Sequence, residues 1–77
     1  MPTDPLPARV LARRQAIGDR IRAARTERKI TQEKLGELVG ADRKTINRIE
    51  QGSYATTIDR LILIADALET PLADLVR

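Results

Sequence analysis

The chain has 77 residues, 14 Lys+Arg against 11 Asp+Glu for a net charge of +3, and neither His nor Cys. That length allows one small domain with a marginal core, and the missing residue types exclude disulfides, thiolate metal cages and the commonest general base. The apolar run Leu61 to Ala65 is too short to cross a bilayer, and Pro2, Asp4, Pro5 and Pro7 do not compose a secretory leader, so a soluble cytoplasmic protein is expected.

In chain order, residues 1–12 read as an N-terminal arm that is either flexible or an extension of the first helix. Residues 13–77 read as the domain proper. Arg9, Arg13 and Arg14 could extend the helix, follow a phosphate strand or sit in a solvated tail, and the tail is the preferred reading. The first helix starts between Ala8 and Ala16 and runs to about Lys29. Its apolar stripe is Ile17, Ile21 and Ala24, with Val10 one heptad earlier. Arg20, Arg22, Arg25 and Arg28 keep the other faces wet.

Thr31 is a good N-cap, and Gln32 and Glu33 open a second helix with a carboxylate near the positive end of its dipole. Leu35, Leu38 and Val39 form its apolar stripe, and Gly40 ends it in the left-handed conformation. Asp42 caps a third helix, Arg43 to Gln51, in which only Ile46 and Ile49 are apolar; Gly52 ends it. Thr57 caps a fourth helix reaching about Glu69, with Ile58, Leu61, Ile62, Ala65 and Leu68 on one face and Leu63 nearly opposite. Thr70 caps a short fifth helix that has Pro71 at its first position and Leu72, Leu75 and Val76 on its apolar side. The expected fold is therefore all-α, with five helices.

The second and third helices, each about eight residues long and joined by a short turn containing glycine, make a helix-turn-helix over 31–51. The third is polar on all but one edge, displaying Arg43, Lys44, Thr45, Asn47, Arg48 and Gln51. Such a helix is exposed or faces a wet partner, and these side chains are of the kinds that contact base edges and phosphates in a major groove. The charge is also unevenly placed. Residues 1–49 hold twelve of the bases and six of the acids, whereas residues 50–77 hold two and five. A polyanion suits the first part; an ordinary solvated helical surface is the plain alternative.

The stretch Ile30 to Gly52, with Thr31-Gln32, Leu35, Gly40, Ile46, Ile49, Glu50 and Gly52 in order, resembles the lambda-repressor-like helix-turn-helix family, which includes Cro and Xre regulators. The resemblance covers roughly residues 17–76. It implies a compact five-helix domain that binds double-stranded DNA as a dimer and regulates transcription. By that likeness Arg43 and Lys44, at the start of the recognition helix, read base edges, with Arg48 one turn on. Asn47 is a fourth candidate, because Asn can pair with adenine, and a plain surface role is as good a reading. Gln32 is implied to bond a phosphate, and Thr45, Ser53 and Tyr54 are further phosphate candidates. Ser53 to Thr57 carry no charge, where many relatives are basic, so a shallow salt dependence is expected.

The resemblance also implies that Glu50 pairs internally with Arg25, since an outward acid there would repel phosphate. It puts alanine where this chain has Gly36; glycine keeps a close helix approach possible but costs about 1 kcal/mol in propensity. Leu63, with Leu72, Leu75 and Val76 on the fifth helix, is expected to form a homodimer patch in the acidic third.

An enzyme is not expected: carboxylates are scattered and no phosphate-cradling glycine run exists. Single-stranded RNA binding lacks its stacking aromatics, with one Tyr and no Phe or Trp. No cofactor, metal or small-molecule ligand is expected. The function read from the sequence is sequence-specific repression by a homodimer on a near-palindromic operator, in the cytoplasm at the nucleoid. The alternative is an antitoxin or adaptor that uses the same fold to bind protein.

Overall fold

The computed structural model describes residues 6–77, which hold five α-helices and no strand. They are α1 (Ala8–Glu27), α2 (Gln32–Val39), α3 (Arg43–Glu50), α4 (Ile58–Ala67) and α5 (Leu72–Val76). None of these helices is long and apolar enough to cross a membrane.

α1 begins directly after Pro7, whose carbonyl accepts from the N–H groups of Val10 and Leu11. The arm residues 8–12 are thus helical, while residues 1–5 lie outside the described residues. Arg13 and Arg14 are not a solvated tail. Arg13 Nη2 donates to the Val76 carbonyl at 2.9 Å and Arg14 Nε to the Gly52 carbonyl at 2.7 Å. Arg28 Nη2 reaches the Glu69 carbonyl at 3.1 Å, and Arg20 donates to the Arg77 carbonyl. The last carbonyls of a helix lack intrahelical partners and carry partial negative charge, so cationic donors are suited to them. The side chains that keep α1 wet therefore also tie it to the ends of α3, α4 and α5.

Ile21, Leu35, Val39, Ile46, Ile49, Ile64, Ala65, Leu68 and Leu75 form the core, and Ile17, Ala24, Leu61, Leu72 and Val76 pack against it. Three expected core residues are exposed instead: Leu38, Ile62 and, at 72% exposure, Ile58. Ile64 is fully buried, though the sequence reading did not place it inside. The buried stripe of α4 is Leu61, Ile64, Ala65 and Leu68, roughly 50° around the helix from the expected one at 100° per residue. α4 packs against both α2 and α5, and the side facing both neighbours decides which of two plausible apolar stripes goes inside.

Two helices stop earlier than expected. Lys29 and Glu69 take left-handed backbone angles (φ 58° and 50°), closing α1 and α4 through bonds from Ile30 N–H to the Arg25 carbonyl and from Thr70 N–H to the Ala65 carbonyl. Glycine is the usual residue in such endings. Thr70 does not cap α5: its hydroxyl donates to the Leu68 carbonyl at 3.0 Å, and α5 starts after Pro71.

Two glycines mark close helix contacts. A Cβ on Gly18 of α1 would lie 2.4 Å from the Glu50 carbonyl oxygen and 2.5 Å from that of Ile49. A Cβ on Gly36 would lie 2.4 Å from the Ala41 carbonyl oxygen.

Candidate nucleic-acid interface

The α2–turn–α3 unit is built from local bonds. Thr31 caps α2 by accepting from Lys34 N–H at 3.0 Å. Gly40 turns the chain with φ 72°, and its neighbour Ala41 closes the turn by donating to the Gly36 carbonyl at 2.8 Å. Asp42 caps α3, accepting from Thr45 N–H at 2.7 Å. Its carboxyl sits below the ordinary aspartate range because the Thr45 hydroxyl and then the Thr45 amide favour the charged form, with Lys44 and Arg48 adding to the effect.

Ile46 and Ile49 pin α3 to the core. Arg43, Lys44, Arg48 and Gln51 are exposed, and Thr45 and Asn47 are half-buried. With about 100° per residue, Lys44, Arg48 and Gln51 share one outer edge, while Arg43, Asn47 and Glu50 run along the edge turned towards α2.

That second edge carries a polar network. Arg25 grips Glu50 with two bonds, Nε to Oε2 at 2.6 Å and Nη2 to Oε1 at 3.1 Å, and its Nη1 donates to the Ile30 carbonyl at 2.8 Å. The Glu50 side chain is 2% exposed and that of Arg25 13%. Gln32 Nε2 donates both to Glu50 Oε1 at 3.1 Å and to Asn47 Oδ1 at 3.0 Å. The network joins three helices, and its side-chain pairs are 15 to 25 residues apart in sequence.

The network changes the reading of the expected phosphate contacts. Both amide hydrogens of Gln32 are used internally, so its side chain has no free donor for a phosphate. Thr45 is half-buried, and its N–H is used by the Asp42 cap. Ser53 Oγ donates to the Arg48 carbonyl at 3.3 Å. Tyr54 is exposed. Beside the N-terminus of α2 lies an open hollow of about 550 Å³ lined by Arg22, Arg25, Thr31, Gln32, Glu33 and Arg43. The sequence reading left Arg22 on a merely wet face. Its place one helical turn before Arg25 was the available signal.

The expected dimer residues divide. Leu63 is 48% exposed, and Leu72 and Val76 are half-buried. Leu75 is only 1% exposed and belongs to the core, because α5 turns it inward to meet α1 and α4.

The helix-turn-helix family profile matches residues 21–75. Among solved structures, the restriction-modification controller protein C.AhdI from Aeromonas hydrophila superposes with a TM-score of 0.80 at 29% identity, covering 84% of this chain and 94% of that one. The P22 c2 repressor protein, solved in complex with synthetic operator 9T, gives 0.75 at 31% identity over 79% and 92%. The clp gene regulator ClgR from C. glutamicum gives 0.78 at 24% identity over 94% and 86%, a likeness of fold alone. No curated protein matches the chain. With its five helices, its capped helix-turn-helix and the family match over most of its length, the chain belongs to the Cro/C1-type helix-turn-helix family of DNA-binding transcription regulators.

Proposed function

We propose that this protein is a homodimeric repressor that lays α3 in the major groove of a near-palindromic operator. The observation that carries the reading is the division of α3. Its two isoleucines are buried, while Arg43, Lys44 and Arg48 stand exposed on the same short helix. Long cationic donors with no hydrogen-bond partner among the described residues suit guanine edges and phosphates. The P22 c2 repressor, solved on operator DNA, supports the same use of the fold here.

In this reading residues 13–77 form the DNA-binding domain, and residues 8–12 lengthen its first helix. Arg43, Lys44 and Arg48 read bases. Phosphate contacts come from the N-terminus of α2, including the Gln32 main-chain N–H, and from Tyr54; the Thr45 and Ser53 N–H groups are used internally. Leu63 lies on the outer side of α4 between Asp59 and Asp66 in sequence register, where acids disfavour DNA and a second copy of the chain fits better. The rims of Leu72 and Val76 extend that surface, and Leu75 takes no part. Two-fold symmetry sets two recognition helices about 34 Å apart, one turn of DNA. Bound there, the dimer blocks polymerase by occupancy, in the cytoplasm at the nucleoid.

Duplex selection from a random pool tests this. A near-palindromic consensus is expected, together with sedimentation as a dimer at micromolar concentration. If Arg43→Ala with Lys44→Ala leaves the selected sequences unchanged, the reading is wrong. If the chain binds no duplex but captures a defined protein, the adaptor alternative replaces it.

A further inference from the structure

Asn47 is a polar residue of α3 shared between the protein interior and the outer face. Its Oδ1 accepts from Gln32 Nε2 at 3.0 Å. The orientation of both amides is fixed by chemistry. Gln32 Nε2 also donates to Glu50 Oε1 at 3.1 Å, and that carboxylate is held by Arg25. Turning the Gln32 amide over would put its carbonyl oxygen against a carboxylate. Turning Asn47 over would set two NH2 groups against each other. The Arg25–Glu50 pair therefore orients Gln32, and Gln32 orients Asn47. What remains on Asn47 is Nδ2 with two donors, next to the exposed Arg43 and Arg48, and one lone pair of an Oδ1 already turned toward Gln32.

We infer that Asn47 reads a base edge through Nδ2, with Oδ1 held inward by Gln32, and so favours guanine over adenine. Adenine presents a donor (N6) beside an acceptor (N7) in the major groove, and an asparagine needs both its oxygen and its nitrogen to match them. With Oδ1 turned toward Gln32 and already accepting from it, that oxygen is a poorer acceptor for adenine N6, and the paired contact to N6 and N7 is disfavoured. Guanine presents N7 and O6, both acceptors, which suit Nδ2. The inference reverses the ordinary expectation for asparagine, and it rests on the proposed entry of α3 into the major groove. Gln32 is the positioning residue: it touches no base but sets which atom of Asn47 does.

The experiment is duplex selection with the full chain and with Asn47→Ala, Gln32→Met, Gln32→Ala and the Arg43→Ala/Lys44→Ala double variant. One operator position is expected to lose its preference in Asn47→Ala. There the unaltered protein takes guanine over adenine by about threefold to tenfold, the worth of one hydrogen bond. Gln32→Met keeps the side-chain length without the donor, frees Oδ1, and moves that position towards adenine. Replacing the guanine by 7-deazaguanine weakens binding of the unaltered protein and not of Asn47→Ala. Adenine preferred by the unaltered protein at that position overturns the inference. So does an equal loss on every sequence in Asn47→Ala, which would mark a phosphate contact. Should the Gln32 variants not fold, the 7-deazaguanine comparison decides alone. If the double variant abolishes selectivity while Asn47→Ala changes nothing, only this inference falls. If the double variant keeps full selectivity, the groove reading falls with it.

Discussion

Arg14 Nε donates to the Gly52 carbonyl at 2.7 Å and so ties the first helix to the residue that ends the recognition helix. The bond is charge-assisted, short and half-buried, and it closes a loop of 38 residues. Arg14→Ala leaves that carbonyl without its cationic partner. The expected cost is about 1–2 kcal/mol, below the full range for charged hydrogen bonds because the site is partly solvated. Urea unfolding checks it: the midpoint falls while the slope stays the same.

Arg25 and Glu50 differ in burial, and their truncations should differ accordingly. Arg25→Ala strands an almost fully buried carboxylate, whereas Glu50→Ala strands a guanidinium that keeps some access to water. Breaking a buried pair costs roughly 3–5 kcal/mol, and Arg25→Ala is expected at that level, with Glu50→Ala clearly lower. Equal losses in thermal unfolding would contradict this asymmetry.

Gly36→Ala sets two effects against each other. Alanine gains about 1 kcal/mol of helix propensity. Its Cβ would meet the Ala41 carbonyl oxygen at 2.4 Å, and that residue is already held by its N–H bond to the Gly36 carbonyl. Backbone on both sides leaves little room to yield, and overpacking of this kind costs about 1–3 kcal/mol. The net expectation is destabilisation, read as a lower Tm; a higher Tm would show that the turn relaxes.

Asp42 makes acid stability depend on the α3 cap. Its carboxyl is held below the ordinary aspartate range by the Thr45 side chain and amide. A group lowered on folding contributes stability that is complete above its unfolded value and fades as pH falls through its folded value. As pH falls below the ordinary aspartate range the cap should weaken, with Asp42→Asn flattening that part of the profile. An NMR titration of the Asp42 carboxyl in the ordinary range or above it would contradict the assignment.

The legible features of this chain are those that depend on near neighbours. Thr31, Asp42 and Thr57 accept from amides three residues on, so a capping side chain before an apolar repeat is enough to place them. The face of α4 was misread because Ile58, Ile62 and Ile64 are equally apolar, and only the positions of α2 and α5 tell them apart. Leu75 was misjudged for the same reason. At the interface, the exposure of Arg43, Lys44 and Arg48 follows from having only two apolar residues in α3. The internal use of Gln32 does not, because its partners Asn47 and Glu50 come from a helix that sequence alone cannot dock.

The contact at Gly18 has a mechanical consequence. α1 rests on the carbonyls of Ile49 and Glu50 with space for hydrogen and nothing larger. Interiors packed this tightly do not deform gradually. α3 is therefore held at one tilt against α1. On the proposed entry of α3 into a groove, bending or twisting needed for a good fit would come from the duplex, and stiffness in base pairs that no side chain touches would become part of what is discriminated.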